Sequence, residues 1–277
     1  MLYIVCALPI EAKSLVLPLS LRKDQFSCPY ETYLAEDHSC VLVVSGPGAI
    51  AASAATTYLL TRFGFKNDQD FLLNFGSCAG EKGGLYLIHK IIDQATSRTF
   101  YPDMCYDLSV SGLTLSDARA VTTCYQVVSS LEDSDMLYDM EASGIYQAAS
   151  RFVPPHRMVF LKFVSDAGIV EAGQLTPEAL KMCADTHATT VLKVMNTLRA
   201  ACTPIPTFDE ALYNQTALDL CASETMSHEL RQLFRYALTS DQDMENLLQT
   251  MKQDGKLPVS SKREGKVVLD EIRQHLL

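Results

Sequence analysis

The tightest constraint on the fold is a local pattern that recurs along the first half of the chain. A short, wholly apolar run is followed by small or turn-forming residues and then by a helix-like stretch. Residues 2–7 (LYIVCA) lead through Pro9 into a helix-like segment over 11–16. Residues 40–44 (CVLVV) end in Ser45-Gly46-Pro47-Gly48 and pass into an alanine-rich stretch over 49–62. Residues 71–75 (FLLNF) end in Gly76-Ser77-Cys78-Ala79-Gly80. Apolar runs without polar alternation suit strands buried on both faces, and a sheet is buried on both faces only when helices cover each side. The pattern predicts an α/β fold, a central sheet flanked by helices. Further strands are expected over 85–92, 120–129 and 158–164, and helices over 139–150 and 177–200. Ligands in such folds bind outside the carboxyl ends of the strands. The residues to search are therefore 9–11, 45–48, 76–80 and 165–168.

The pattern stops near Thr203-Pro204-Ile205-Pro206. Beyond it, residues 207–254 read as two or three amphipathic helices, with Leu230, Leu233, Phe234 and Leu238 on one helical face. A loop is expected over 256–262 and a last short helix over 267–277. The expected organisation is an α/β domain over 1–202 and an α-helical C-terminal extension over 203–277.

Charge and cysteine content narrow the function. The 23 basic and 33 acidic residues give a net charge of −10, the wrong sign for binding duplex nucleic acid or an anionic membrane surface. No apolar stretch reaches the roughly 18 residues of a membrane span. The segment MLYIVCALPIEAKS lacks a basic start and a cleavage site, so no secretory signal is expected. The nine cysteines have no CxxC spacing, and the six histidines form no HxH or HxxxH pair. Free buried thiols in a reducing cytoplasm are expected, with no metal and no organic cofactor.

Taken one at a time, the polar residues near the strand ends have plain structural readings. Glu11 suits a helix first turn, as do Asp139 and Glu141. Ser165 and Asp166 are common capping residues. Gly46-Pro47-Gly48 lacks both the dinucleotide-binding spacing and the P-loop lysine.

Their joint order says more. A strand leading to Glu11, then SGPGAIAASAA, NFGSCAG, DMEASGIYQAA and FLKFVSDAG, resembles the purine nucleoside phosphorylase superfamily over about residues 1–200. Within it, the motifs are most similar to the methylthioadenosine/S-adenosylhomocysteine nucleosidases, with futalosine hydrolases as close relatives. The resemblance implies a mixed central sheet and hydrolysis of the N-glycosidic bond of a purine nucleoside or 5′-thio-substituted adenosine, releasing free base. It implies that Asp166 protonates the purine and that Ser165 supports the base-binding loop. It also implies that Glu141 binds the ribose hydroxyls, Met140 lies against the sugar, Ser77 lines the site and Glu11 directs the attacking water. A cytoplasmic homodimer is implied too, residues 99–103 (TFYPD) resembling the region through which a neighbouring subunit closes the site. Lys162 and Asp139 stand where these nucleosidases often have arginine and glutamate. In place of the aromatic residue that stacks on the purine in those enzymes, Tyr125 and Val127 are the candidates.

Chemistry makes matching demands. An oxocarbenium-like state is stabilised by a carboxylate, a leaving purine needs an acid, and water needs a base. Glu141, Asp166 and Glu11 fit those tasks. A phosphorylase would need an anion clamp, usually arginine, and residues 1–20, 41–50 and 66–97 contain none. Two alternatives remain at this stage: a phosphate-dependent phosphorylase, and a catalytically silent nucleoside-binding module whose helical tail contacts a partner.

Overall fold

The computed structural model describes residues 1–26, 29–67, 69–102, 105–108, 115–124, 135–167, 176–201, 207–240 and 242–276, with residues 115–119 described by backbone alone. The chain divides into two compact units, Met1–Thr203 and Pro204–Leu277.

In the first unit the described strands are β1 (Leu2–Cys6), β2 (Arg22–Lys23), β3 (Glu31–Leu34), β4 (Cys40–Val44), β5 (Phe71–Ala79), β6 (Leu85–Asp93), β7 (Thr99–Phe100), β8 (Leu115–Thr123), β9 (Leu137–Asp139) and β10 (Met158–Asp166). The helices are α1 (Pro9–Val16), α2 (Ala49–Phe63), α3 (Ala142–Ala149) and α4 (Pro177–Ala200). The sheet is mixed. Strands β4, β1, β5 and β10 run parallel side by side, and β3 and β2 extend one edge in antiparallel fashion. On the other side β10 pairs with β6, β6 with β8, β8 with β9, and β9 returns to β5, so these five strands close on themselves.

Two-residue periodicity explains the layers. In β1, Leu2, Ile4 and Cys6 face the core under α1 and α4, while Tyr3 and Val5 face the core under α2 and α3. In β10, Val159, Leu161 and Phe163 join the first core, and Met158, Phe160 and Val164 the second. Lys162 shares the parity of this second group and is buried within it. Helices α2 and α3 approach closely because residue 144 is glycine: a Cβ there would overlap the carbonyl oxygen of Ala49. The Ser53 hydroxyl bridges the contact, within hydrogen-bonding distance of the carbonyls of Ala49 (2.7 Å) and Gly144 (2.9 Å).

Several elements differ from the sequence-based expectation. The segment 76–79 is strand and not turn, because β10 pairs with β5 as far as Ala79. Small residues there admit neighbours: a Cβ on Gly80 would meet Leu137 and Val164. The strand expected over 120–129 begins at Leu115, in a polar stretch (LSDAR) that carries no apolar signal, and ends at Thr123. Asp139 ends β9 and does not start a helix; α3 begins at Ala142. Short β2, β3 and β7 are added by pairing. The expected boundary at Thr203–Pro206 lies outside the described residues, as do Tyr125 and Val127.

The second unit contains α5 (Glu210–Asp219), α6 (Glu224–Thr239), α7 (Met244–Gln253) and α8 (Lys262–Leu276). Asp209, Ser223 and Asp243 cap the first three of these helices, each accepting backbone N–H bonds from the first turn. Leu230, Leu233 and Phe234 of α6 meet Leu248 of α7 and Leu269 and Ile272 of α8 in an apolar core. The last helix starts five residues earlier than its apolar residues suggest, over the polar Lys262–Lys266. The seven described cysteines are all free; Cys105 is exposed, and Cys183 and Cys221 are half-buried, so the expectation of uniformly buried thiols fails at those three. Among the described residues no helix is long and apolar enough to cross a membrane.

Candidate active site

The site begins where the sheet splits. Strand β1 accompanies β5 only as far as the Val5–Asn74 pair, and β9 joins β5 only at Ala79. Between these points one edge of β5 is left open, and backbone N–H groups there need other acceptors. Glu11, in the first turn of α1, supplies one. Its Oε1 accepts from the Ser77 backbone N–H at 2.8 Å and from the Ser77 hydroxyl at 2.7 Å. Its Oε2 accepts from the backbone N–H groups of Ala7 (3.0 Å) and Leu8 (2.9 Å), capping α1. The capping role is therefore real, and the bond to Ser77 exists beside it. The carboxylate is 1% exposed, and these four donors match its acceptor capacity.

Gly76 leaves room beside this carboxylate. A Cβ at Gly76 would lie 3.4 Å from Glu11 Oε1 and 3.4 Å from Lys162 Nζ. Lys162 donates to Asp139 Oδ2 at 2.8 Å and stands 3.8 Å from Glu141 Oε2. Three carboxylates thus surround one buried ammonium. Burial works against that charge, but Asp139, Glu141 and Glu11 outweigh it and hold the lysine above its ordinary pKa.

Glu141 occupies the N-cap position of α3, yet its carboxylate is not used as a cap. Asp139 Oδ2 takes the Ala142 N–H instead, at 2.8 Å. This frees Glu141 Oε1 to accept from the Gly48 N–H at 2.9 Å, at the start of α2. Gly48 is held at φ 96°, the left-handed region that favours glycine. Glu141 therefore lies at the positive ends of two helices. Burial nevertheless raises its pKa; Lys162 and the Gly48 N–H pull it down, and Asp139 and Glu11 push it up.

Asp139 is itself fixed. Its Oδ1 accepts from the Thr123 hydroxyl at 2.7 Å, and Thr123 Oγ1 accepts from the Ser143 N–H at 2.9 Å. The Ser143 hydroxyl donates to Asp93 Oδ2 at 2.7 Å. Burial opposes the charge on Asp93, but bonds from Ser143 and Thr96 outweigh it and keep this carboxyl below its usual range.

The remaining expected residues end β10. The Ser165 hydroxyl donates to Asp166 Oδ2 at 2.7 Å, with the Cys78 carbonyl as a second acceptor at 3.3 Å. Both residues are half-buried, and Asp166 lies opposite Ala79, two residues beyond Ser77 on the neighbouring strand. Glu11 and Ser77 are thus joined directly, Glu141 approaches them across Lys162, and Asp166 is brought in by the register of β10 on β5. Met140 is half-buried between Asp139 and Glu141. Of the 165–168 loop, Gly168 lies outside the described residues.

Sequence reasoning left Lys162 and Asp139 out of the site and did not find Thr123, Ser143 or Asp93. For Lys162 a signal existed: a lysine inside FLKFV must be paired if the strand is buried. The others are polar residues at element ends, indistinguishable from caps. Among the described residues no three His, Cys, Asp or Glu side chains converge as a metal site.

Comparison of the fold with solved structures gives a consistent result. The 5′-methylthioadenosine nucleosidase of Arabidopsis thaliana, in apo form, superposes with a TM-score of 0.60 at 19% identity, over 71% of this chain and 95% of that one. The 5′-methylthioadenosine/S-adenosylhomocysteine nucleosidase of Colwellia psychrerythraea, in complex with adenine, gives 0.57 at 22% identity, over 71% and 95%. The futalosine hydrolase of Helicobacter pylori gives 0.58 at 14% identity, over 70% and 97%. No protein-family profile and no curated protein matches the sequence. The chain therefore has the fold shared by these nucleosidases and futalosine hydrolase. Methylthioadenosine nucleosidases and futalosine hydrolase, the relatives its motifs resemble, are among the structures that share this fold.

Proposed function

We propose that this protein is an N-ribosyl hydrolase that cleaves a purine nucleoside or a 5′-thio-substituted adenosine to free base, with water as the nucleophile. One observation carries the choice of nucleophile. The Ser77 N–H and hydroxyl and the Gly48 N–H are donors of the kind that hold a phosphate, and here they bind the carboxylates of Glu11 and Glu141. A dianion would have to displace one carboxylate and lie against the other, which electrostatics opposes. A water molecule meets no such repulsion and finds a base. Of the four donors on Glu11, the Ser77 hydroxyl is the one that can rotate away without disturbing backbone. We therefore assign Ser77 as the exchangeable partner that yields Glu11 to the water.

In this reading Asp166, oriented by Ser165, is the general acid toward the purine. Glu141 binds the ribose hydroxyls and faces the positive charge that develops on the sugar, and Met140 lies along its face. General acid–base assistance of this kind contributes about 10²–10⁴-fold. Residues 1–202 carry the catalysis and 203–277 form an appended helical domain. A homodimer completes the reading, in a cytoplasmic setting. Ile50 on α2 is 89% exposed and Tyr101 is 61% exposed. Ile50 follows Ala49, which packs on Gly144 of α3, and the Tyr101 carbonyl accepts from the Tyr146 hydroxyl of α3 at 3.3 Å. Sedimentation at the monomer mass would remove the dimer from this reading.

The deciding experiment is base release from methylthioadenosine, S-adenosylhomocysteine, adenosine and inosine, followed by chromatography with and without phosphate. Free base and free pentose without phosphate is the expected result. Release only with phosphate, as the sugar 1-phosphate, would overturn the choice of water. No release from any member, with thermal stabilisation by one of them, would favour the silent binding module.

A further inference from the structure

We propose that Asp139 is a positioning residue that decides which carboxylate the buried Lys162 serves, holding the ammonium off Glu141 so that Glu141 stays available to the sugar. The proposal deepens the nucleosidase reading and rests on it for the part that concerns substrate.

The argument starts from an imbalance. Glu11, Asp139 and Glu141 surround a single cation, so one carboxylate can be fully paired with it. The geometry shows which. Lys162 is 2.8 Å from Asp139 and 3.8 Å from Glu141, the first a hydrogen-bonded pair and the second longer than one. A lysine ammonium on a flexible stem would otherwise swing to either acid. What fixes the choice is the preparation of Asp139. Its Oδ1 is held by the Thr123 hydroxyl and its Oδ2 by the Ala142 N–H. Thr123 is in turn held by the Ser143 N–H, and the Ser143 hydroxyl is anchored on Asp93. Asp93, Thr123, Asp139 and Ser143 are all buried, so this chain exchanges few of its bonds with water. Each hydroxyl in it has one donor direction and uses it, Thr123 toward Asp139 and Ser143 toward Asp93.

The consequence falls on Glu141. The groups facing it are Lys162 from β10, Asp139 from β9, Glu11 from α1 and the Gly48 N–H at the start of α2. With Asp139 in place, Glu141 keeps an oxygen only loosely engaged by the ammonium. Without the charge on Asp139, Lys162 would close on Glu141 and compete with a ribose hydroxyl for the same oxygen. The like-charge push from Asp139 would vanish as well, and both changes make Glu141 more acidic.

The test compares wild type, Asp139→Asn and Asp139→Glu on the whole chain. The first readout needs no turnover: the pH titration of the Glu141 carboxyl followed by ¹³C NMR and assigned with Glu141→Gln. Asp139→Asn should move its midpoint to lower pH, and Asp139→Glu should return it toward wild type. An unmoved or raised midpoint in Asp139→Asn overturns the proposal. The second readout is kinetic. Asp139→Asn should raise KM about tenfold, lower kcat by less than about threefold and shift the acid limb of kcat/KM to lower pH. A loss confined to kcat with an unshifted pH profile overturns the proposal. If wild type releases no base from any nucleoside, the nucleosidase reading fails, and the NMR titration still decides whether Asp139 governs Lys162. If Asp139→Asn does not fold, Thr123→Val removes one of the bonds that hold Asp139 and should produce the same shifts in smaller measure; a midpoint unmoved in that variant overturns the proposal.

Discussion

The carboxyl end of the sheet and the C-terminal helical unit treat charge in opposite ways. In the helical unit the core is apolar, from Leu230 and Phe234 to Ile272, and most ion pairs are exposed, as between Lys256 and Glu271 or Arg231 and Glu210, with Asp219, paired with Lys252, a buried acid at its edge. Three of the four tail helices begin at an ordinary Asp or Ser cap. At the sheet, Glu11, Asp139, Glu141 and Lys162 are all buried, and one helix cap is handed from Glu141 to Asp139. Burying charge is costly unless every partner is supplied. Buried clusters of charge of this kind are common at functional sites, whereas an apolar core with charge at its rim serves stability.

That contrast can be broken most sharply at Asp166. Asp166→Asn should lower base release by about 10²–10⁴-fold with little change in Tm, because it alters a half-buried acid at a strand end. Turnover near wild type would remove Asp166 from the general-acid role. The opposite response is expected in the tail. Phe234→Ala empties part of a buried core position that meets Tyr213 and Phe208 and should cost about 3–5 kcal/mol in chemical denaturation. Base release per folded molecule should stay at the wild-type level, and a fall in it would tie the helical unit to the reaction.

A smaller effect sharpens the comparison within the site. Burial raises the pKa of Glu141 in the folded state. A raised carboxyl contributes stability that is fully present below its unfolded pKa of about 4.3 and is lost as pH rises through the folded value. Glu141→Gln should therefore be as stable as wild type in acid and more stable at pH 7, while losing activity. Thermal melts across that pH range check this. A variant less stable than wild type at pH 7 would mean that the Gly48 and Lys162 contacts outweigh the burial of the charge.

Legibility followed the same division. Helix α4 was readable from its start at Pro177 to its end at Ala200, because a proline at the first position and a long apolar period mark it locally. The cores of β1, β4 and β10 were readable because strands buried on both faces leave continuous apolar runs. The start of β8 was not, since its first residues (LSDAR) are held by pairing with β6 and carry no apolar pattern. The same limit hid the end of β5, where glycine, serine and alanine read as a turn until a partner strand is known. Within the site, Glu11, Ser77, Glu141, Ser165 and Asp166 were named from motif order. Lys162 was visible as an anomaly in FLKFV, and Thr123, Ser143 and Asp93 left no trace.

By itself, the sequence determined the class of fold and the order in which its main strands and helices follow one another, because those depend on local periodicity. Tertiary structure alone decided that β5 loses β1 after Asn74, so that the Ser77 N–H turns to Glu11, and that Lys162 meets Asp139 at 2.8 Å and Glu141 at 3.8 Å. These are contacts between residues far apart in the chain, and their distances are set by sheet register and helix packing. No local sequence signal encodes a difference of one ångström between two carboxylates competing for one ammonium.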